Sequence, residues 1–376
     1  MKIGIMTFWE STNNYGQILQ LFAMQSYLTK IGHSPFLIPY HRVPPPVKMS
    51  LFTRLFRLNP ISSYRRKRYE RIKVLGEVQD LKRQFSQFKK QFINFGQEEY
   101  YSLSDLIARP PIADVYVTGS DQVWNNSFQV SAEAFLLGFG DSRIKRVAFA
   151  ASFGKRKLDT TTEKLFKKYI HKFSAVGIRE KSGLEICNTL GYRNAKWVLD
   201  PTFLFTKSEW EELLGIDFVR NVNSPKTVFI YTLGNSEIVE KELFINYAKS
   251  LEGFVTLHAT ANNDSSGSLF PTIPEWVSYI GSSELVITTS FHGMVFCLIN
   301  NTKFIILPNT GAAEGMNERI DSLLSLLGLE HHKMTRFNKE HADSILRNEV
   351  DWAEINRKIS DFRQESMKFL AEALER

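Results

Sequence analysis

The sharpest chemical cluster in the chain is Thr288-Thr289-Ser290-Phe291-His292-Gly293, where the apolar run ELVITTS gives way to the helix-forming stretch MVFCLINN. A histidine there stands at the positive end of a helix, where an anion is favoured and an imidazole can exchange a proton near neutral pH. Ser290 adds a hydroxyl, and Gly293 is small enough to permit close approach of a ligand. A lone histidine more often plays a structural part, but the polar run before this one and the glycine after it favour function. A second cluster, Gly119-Ser120-Asp121-Gln122-Val123-Trp124-Asn125, follows the apolar run ADVYVTG. Its carboxylate, amides and indole suit a sugar, with Asp121, Trp124 and Asn125 as contacts; the plain alternative is a capped helix start with a core tryptophan.

Three further clusters carry weaker signals. Arg179, in GIREKSG, lies just past an apolar strand and before a helix, where its planar fork of donors can hold a phosphate or carboxylate, or pair with Glu180 or with Asp200 of the LDPT segment. Asn14 and Gln17, in NNYGQ, can offer donors to an anion or hydroxyl at a helix start, or serve as ordinary turn and capping residues. The stretch LPNTGAAEGMNER is a glycine-rich loop ending in Asn317, Glu318 and Arg319 at a helix start, able to close over a ligand. His258 is a weaker counterpart of His292, and His331-His332 is expected at the surface.

The elements that must position these residues form an alternating α/β pattern. KIGIMTF, SPFLIPY, ADVYVTG, RVAFAAS, SAVGIRE and KWVLDP read as six buried strands, and TVFIYTL, GFVTLHA, ELVITTS and KFIILP as four more. Between the first two strands, Ile18, Leu21, Phe22, Met24, Tyr27 and Leu28 recur at helical spacing, with Gly32 as the stop. Later helices are expected at about 236–251, 274–281 and 292–300. The pattern predicts two doubly wound, Rossmann-like domains facing a cleft: 1–210 with a helical insertion at 42–95, and 220–335, followed by a helical tail at 336–376. The division falls near residues 205–225.

Charge is concentrated in that insertion. Residues 42–91 hold fourteen Lys or Arg against three acids, +11, so the remainder of this chain of net charge +7 is −4. In the insertion Leu51, Leu55, Phe56, Ile72, Leu75, Val78, Leu81, Phe85, Phe88 and Phe92 recur every three or four residues. The segment reads either as an amphipathic hairpin packed on the first domain or as a surface for anionic membrane. Nucleic acid is disfavoured, because no recognition motif accompanies the charge. The two cysteines, Cys187 and Cys297, sit in apolar helical contexts and form no zinc spacing, which fits a reducing cytoplasm. Neither a signal peptide nor an apolar run of about 18 residues is present, so any membrane association is expected to be peripheral. No acidic cluster suggests a magnesium site.

Read in order, NNYGQILQLFAMQSYL, DVYVTGSDQVWN, FAASFG, GIREKSG, LDPTFLF, TTSFHG and MNERIDSLLSLLGL resemble the polysaccharide pyruvyl transferase family over roughly residues 1–330. GSDQVWN and SFHG are the most specific of these. The resemblance implies a fold like that of GT-B glycosyltransferases, with the donor mainly on the C-terminal side. It also implies transfer of pyruvate from phosphoenolpyruvate, as co-substrate with no cofactor or metal, to two hydroxyls of a sugar as a ketal. Such acceptors belong to capsule or exopolysaccharide biosynthesis and are often lipid-linked oligosaccharides. On that reading His292 is the acid/base and Asp121 the acceptor-side base or hydroxyl anchor. Arg179 and Arg319 clamp the anion with Ser290, Gly293 and Asn317, and Asn14, Gln17, Trp124 and Asn125 position the sugar. Another branch of the family has Arg-Leu before the histidine. Here Ser290 and Phe291 stand there, so the anion contact passes to Arg179, Arg319 or the helix N-terminus. The rival readings are a GT-B glycosyltransferase using a nucleotide sugar and a non-catalytic glycan-binding protein.

Overall fold

Short runs such as KIGIM, VYVT, LVIT and KFII are almost wholly buried and rich in β-branched and aromatic residues, the composition of parallel strands covered on both faces. The computed structural model describes residues 1–42, 76–125, 131–217, 225–234, 240–261, 264 and 266–375, with the backbone alone at 312–313. The first sheet contains β1 (Lys2–Met6), β2 (Ser34–Leu37), β3 (Val115–Thr118), β4 (Lys145–Ala151), β5 (Ala175–Ile178) and β6 (Lys196–Trp197) in the order β2-β1-β3-β4-β5-β6. The second contains β7 (Lys226–Tyr231), β8 (Phe254–Ala259), β9 (Leu285–Thr288) and β10 (Lys303–Ile306) in the order β10-β9-β7-β8. All pairings between these strands are parallel. Strand order reverses between β1 and β3 in one sheet and between β7 and β9 in the other. In such sheets a ligand crevice opens beyond the carboxyl ends of the strands at the reversal.

The expected helices are present with shifted ends. Helix α1 (Tyr15–Lys30) stops just before Gly32, which adopts φ 84°, a conformation glycine takes without penalty. Helix α2 (Phe85–Phe92) and α3 (Lys181–Thr189) follow in the first half. In the second half α4 (Lys241–Ser250) starts later than the expected 236, and residues 235–239 lie outside the described set. Helices α5 (Ile273–Ser282), α6 (Phe291–Asn300) and α7 (Asn317–Leu327) follow. The expected helical tail contains α8 (Trp352–Glu375), which packs back on the first sheet. Ser366 Oγ accepts from Leu199 N at 2.9 Å, Lys145 Nζ donates to Leu374 O at 2.7 Å, and the Trp197 and Phe362 rings meet at 4.6 Å.

Most of the basic insertion, including its run Arg65–Arg68, lies outside the described residues. Its described end corrects the continuous apolar stripe of the sequence reading. A helix covers 76–83, the chain turns at Gln84 with φ 57°, and α2 begins. Phe85 and Phe88 are buried beside α1, whereas Leu81 is 79% exposed, because the turn at Gln84 breaks the helical phase. Val78 is exposed as well. Arg83 is fully buried and reaches across to the second half, donating to Thr260 O at 3.2 Å. Nearby Tyr15 stacks on Trp276 at 4.9 Å and donates to Pro271 O at 2.6 Å, so α1 and α5 join the two halves. Both cysteines are buried, and burial pushes the Cys187 thiol up to about 12. No described helix is long and apolar enough to cross a membrane.

Candidate active site

The loop leaving β3 is shaped by its backbone before its side chains matter. Gly119 has φ 111°, and a Cβ there would lie 2.2 Å from the Phe149 carbonyl oxygen. Asp121 is left-handed at φ 70°, which costs about 1–2 kcal/mol for a residue with a Cβ. Beside it β4 bulges: its register against β5 shifts between Ala148 and Ala151, with Ala150 at φ 53°. This turns the Ala150 carbonyl toward Ser120 Oγ, 3.2 Å away. Thr7 Oγ1 donates to Ser120 O, and Gln20 Oε1 accepts from Ser120 N at 3.1 Å. The loop is therefore fixed by neighbours from β1, α1 and β4.

Arg179 follows β5 and Asp200 follows β6, and the two meet in the buried centre of this arrangement. Arg179 Nη1 lies 2.6 Å from Asp200 Oδ2 and 3.1 Å from Ser120 Oγ, and its Nη2 is 3.4 Å from Asp121 Oδ1. Ser120 Oγ also donates to Asp200 Oδ2 at 2.7 Å, while Asp200 Oδ1 accepts from Thr202 N and Oγ1. Burial pushes the Asp200 carboxyl up, but His292, Arg179 and Ser120 outweigh it and hold the group far below the usual carboxylate range. Asp121 is likewise lowered, burial being overcome by Arg179, His292 and Arg319. Of the pairings left open for Arg179 by the sequence, the one with Asp200 is made. Glu180 points elsewhere: its Oε1 accepts from Phe153 N and Gly154 N, and burial raises its carboxyl.

The second sheet contributes from the carboxyl end of β9. Ser290 caps α6, its Oγ accepting from Gly293 N at 3.2 Å, so His292 occupies the first turn. The imidazole is buried and its Nε2 makes no hydrogen bond among the described residues; Asp200 Oδ2 is 3.5 Å away. Its other side presses on α1, where a Cβ on Gly16 would fall 2.0 Å from His292 Nδ1. Arg319, in the first turn of α7, places Nη1 3.9 Å from Asp121 Oδ1 and donates Nε to Met316 O. Burial and the nearby Arg179 bring its guanidinium down to about 10, so it remains charged at neutral pH. Both guanidinium groups pack on the Phe291 ring, at 4.9 and 5.1 Å. Over the crevice, Gly315 rests on Gly154: a Cβ there would be 2.5 Å from the Gly154 oxygen, and Arg156 pairs with Glu318.

Four expected site residues thus converge, namely Asp121, Arg179, His292 and Arg319. Others have structural work. Trp124 is fully buried, donates Nε1 to Phe135 O, and packs on Phe153, Phe166 and Phe173, so no ring face is open to a sugar. The core-tryptophan alternative is the one realised. Asn317 closes its own loop, accepting from Asn309 N and donating to Asn309 O, both at 2.8 Å. Asn14 caps α1 through Gln17 N, Gln17 Oε1 accepts from Ser11 N, and Asn125 Nδ2 donates to Gln122 Oε1. Gly293 is small because the Thr288 side chain lies against it, 2.8 Å from a would-be Cβ. His332, expected at the surface, is buried with Nδ1 2.7 Å from Phe304 O. Sequence reasoning placed Ser120 and Gly16 within its clusters without foreseeing what they touch, and weighed Asp200 only as a structural partner. The glycine in NNYG was the available signal for the close approach of α1 to His292.

Two Rossmann-like units with their strand-order reversals turned toward one crevice make this a GT-B-like α/β protein. The sequence matches the family model described as polysaccharide pyruvyl transferase over residues 14–311, and the chain belongs to that family. Among solved structures it is similar to a putative UDP-N-acetylglucosamine 2-epimerase from Listeria monocytogenes, with 11% identity and a TM-score of 0.51 over 94% of this chain and 90% of that one. It is also similar to an alpha-glucosyltransferase in complex with UDP and a 13-mer DNA, with 10% identity and a TM-score of 0.47 over 98% and 95%. A third is a functionally uncharacterized protein from Klebsiella pneumoniae, with 9% identity and a TM-score of 0.43 over 89% and 92%. No curated protein sequence matches the chain.

Proposed function

We propose that the protein transfers pyruvate from phosphoenolpyruvate to two hydroxyls of a sugar, forming a ketal on a cell-surface polysaccharide or its lipid-linked precursor. The observation that carries this reading is the buried meeting of Arg179, Arg319 and an unbonded His292 Nε2 at the facing carboxyl ends of both sheets. Phosphoenolpyruvate brings a carboxylate and a phosphate, and the two guanidinium groups supply fixed positive charge in a water-poor site. His292 gives its proton to the methylene carbon of the enol, and a sugar hydroxyl attacks the adjoining carbon as positive charge develops there. A second hydroxyl then displaces phosphate on that carbon, closing the ketal; of the two hydroxyl protons released, one restores His292 and the other passes through Asp121 to the departing phosphate. Asp200 aligns Arg179 and His292 through one oxygen. The scheme needs no metal or cofactor. Ser290 and the amide groups at the start of α6 favour the anion on the donor side; Asn14, Gln17 and Asn125 border the acceptor side.

The test is a reaction of purified protein with phosphoenolpyruvate and glycan from cells lacking it. Release of inorganic phosphate, with a glycan mass gain of pyruvic acid less one water, is expected. Release of a nucleotide from a nucleotide sugar would instead support a glycosyltransferase, and acceptor binding without phosphoenolpyruvate binding a glycan-binding protein.

The proposed setting is the cytoplasmic face of a membrane, with the basic segment 42–91 on anionic lipid beside a lipid-linked oligosaccharide, and no nucleic acid partner. Neutralising Arg65, Arg66, Lys67 and Arg68 together is expected to weaken binding to anionic liposomes while leaving turnover on a soluble acceptor; unchanged liposome binding overturns this placement.

A further inference from the structure

The chain that leaves β1 passes Trp9 before reaching Gly16 beside His292, so what surrounds Trp9 borders the same crevice. Four aromatic rings from separate stretches gather there. Trp9 meets His41 edge-on at 5.0 Å and Phe95 at 5.5 Å, and His41 stacks on Tyr101 at 4.7 Å with the rings 12° from parallel. This group differs from the buried tryptophans Trp124, Trp210 and Trp276: Phe95 and Tyr101 each leave 36% of their surface open. The position lies beyond the carboxyl ends of β1 and β2.

Polar groups rim these rings, and Lys89 Nζ lies 5.7 Å over the Trp9 ring, donating to Ser11 O at 3.2 Å and Trp9 O at 3.5 Å. Glu10 accepts from Arg42 Nε at 2.8 Å and lies 3.7 Å from His41 Nδ1, and the Arg42 guanidinium rests on Phe8. Glu99 accepts from the Tyr101 hydroxyl, and its Oε2 is 3.6 Å from His41 Nε2, which makes no hydrogen bond among the described residues. The cations here are already engaged, Arg42 by the Glu10 carboxylate and Lys89 by the carbonyls of Trp9 and Ser11, so the site does not call for an anion. Open ring surface bordered by carboxylates, a phenol and an imidazole matches a neutral ring with an apolar face and hydroxyls at its edge.

We propose that the Trp9, His41, Phe95 and Tyr101 platform is the acceptor-sugar subsite, on which a pyranose lies by its C–H face with hydroxyls reaching Glu99 and His41. The subsite takes the part that the sequence assigned to Trp124. Its place in the reaction rests on the pyruvyl-transfer reading, whereas sugar binding by the platform can be measured without it.

The experiment titrates the full chain with the methyl glycosides of glucose, galactose and mannose, followed by saturation-transfer NMR and tryptophan fluorescence, and separately with phosphoenolpyruvate by calorimetry. At least one glycoside is expected to bind. Trp9→Ala and the more exposed Tyr101→Ala each weaken it about tenfold, with phosphoenolpyruvate affinity unchanged. Glycoside binding that survives both substitutions, or no binding of any of the three by the wild-type chain, overturns the proposal. If glycosides bind and both variants lose them but phosphoenolpyruvate does not bind, the platform stands as a sugar site and the pyruvyl-transfer reading falls. If phosphoenolpyruvate binds and the variants keep their glycoside, that reading stands and the platform falls.

Discussion

The two halves of the candidate site are held in opposite ways. On the first-sheet side, Arg179, Ser120 and Asp200 bond one another at 2.6–3.1 Å, and backbone bonds fix the loop that presents them. On the second-sheet side, His292 and Arg319 come no closer than 3.5 and 3.9 Å to any carboxylate oxygen of the cluster. A buried charge with its partners in place is already satisfied; one held at longer range keeps hydrogen-bonding capacity for a ligand. The difference is one of stiffness: the first half bonds its charges into a rigid floor, leaving only Arg179 Nε without a partner among the described residues, and the second half holds its charges loosely.

The largest effect should come from breaking the floor. Arg179→Ala leaves Asp200 and Asp121 buried without the guanidinium that bonds them both, and about 3–5 kcal/mol of stability is expected to go, read from the urea midpoint. If the variant unfolds like the wild type, the floor is not rigid in the sense described. His292→Asn tests the other half: turnover should fall by about 10²–10⁴ while stability changes by less than about 1 kcal/mol. Near-normal turnover would remove His292 from the chemistry. Gly16→Ala strikes the seam between the halves, pushing a methyl group into the imidazole, and about 1–3 kcal/mol of stability should be lost together with turnover. Full activity in that variant would show that the two halves are not pressed together as described.

The smallest effect concerns pH. Asp121 and Asp200 are held low, so the stability they contribute is present above the ordinary carboxylate range and is lost as pH falls through their folded values. Glu180 is raised by burial, so its contribution runs the other way, present below the ordinary range and lost as pH rises through its folded value. Glu180→Gln should therefore gain stability relative to wild type at pH 8 compared with pH 5. An equal shift of the denaturation midpoint at both values would break this assignment.

The ten strands were legible because strands buried on both faces leave short apolar runs that need little context. The strand-end clusters were legible for the same reason, since polar groups directly after such a run must lie in the crevice. Pairing was less accessible. Nothing local joins Gly16 to His292, which lie 276 residues apart, and their contact depends on how the two halves dock. The apolar stripe of the insertion failed at Gln84, where a single left-handed residue resets the helical phase. Trp124 shows the limit for aromatics, because its neighbours along the chain do not reveal whether its faces meet Phe153 and Phe166 or a sugar.

Helix α8 has a mechanical consequence. The chain leaves the first sheet after β6, builds the second, and then returns to lie against Leu199, Phe149 and Lys145. Two covalent crossings therefore connect the halves, and a body tied to another at two points turns most readily about the line through them. Two such ties restrict relative movement of the halves to rotation about the line through them, a constraint that keeps the same strand ends facing each other.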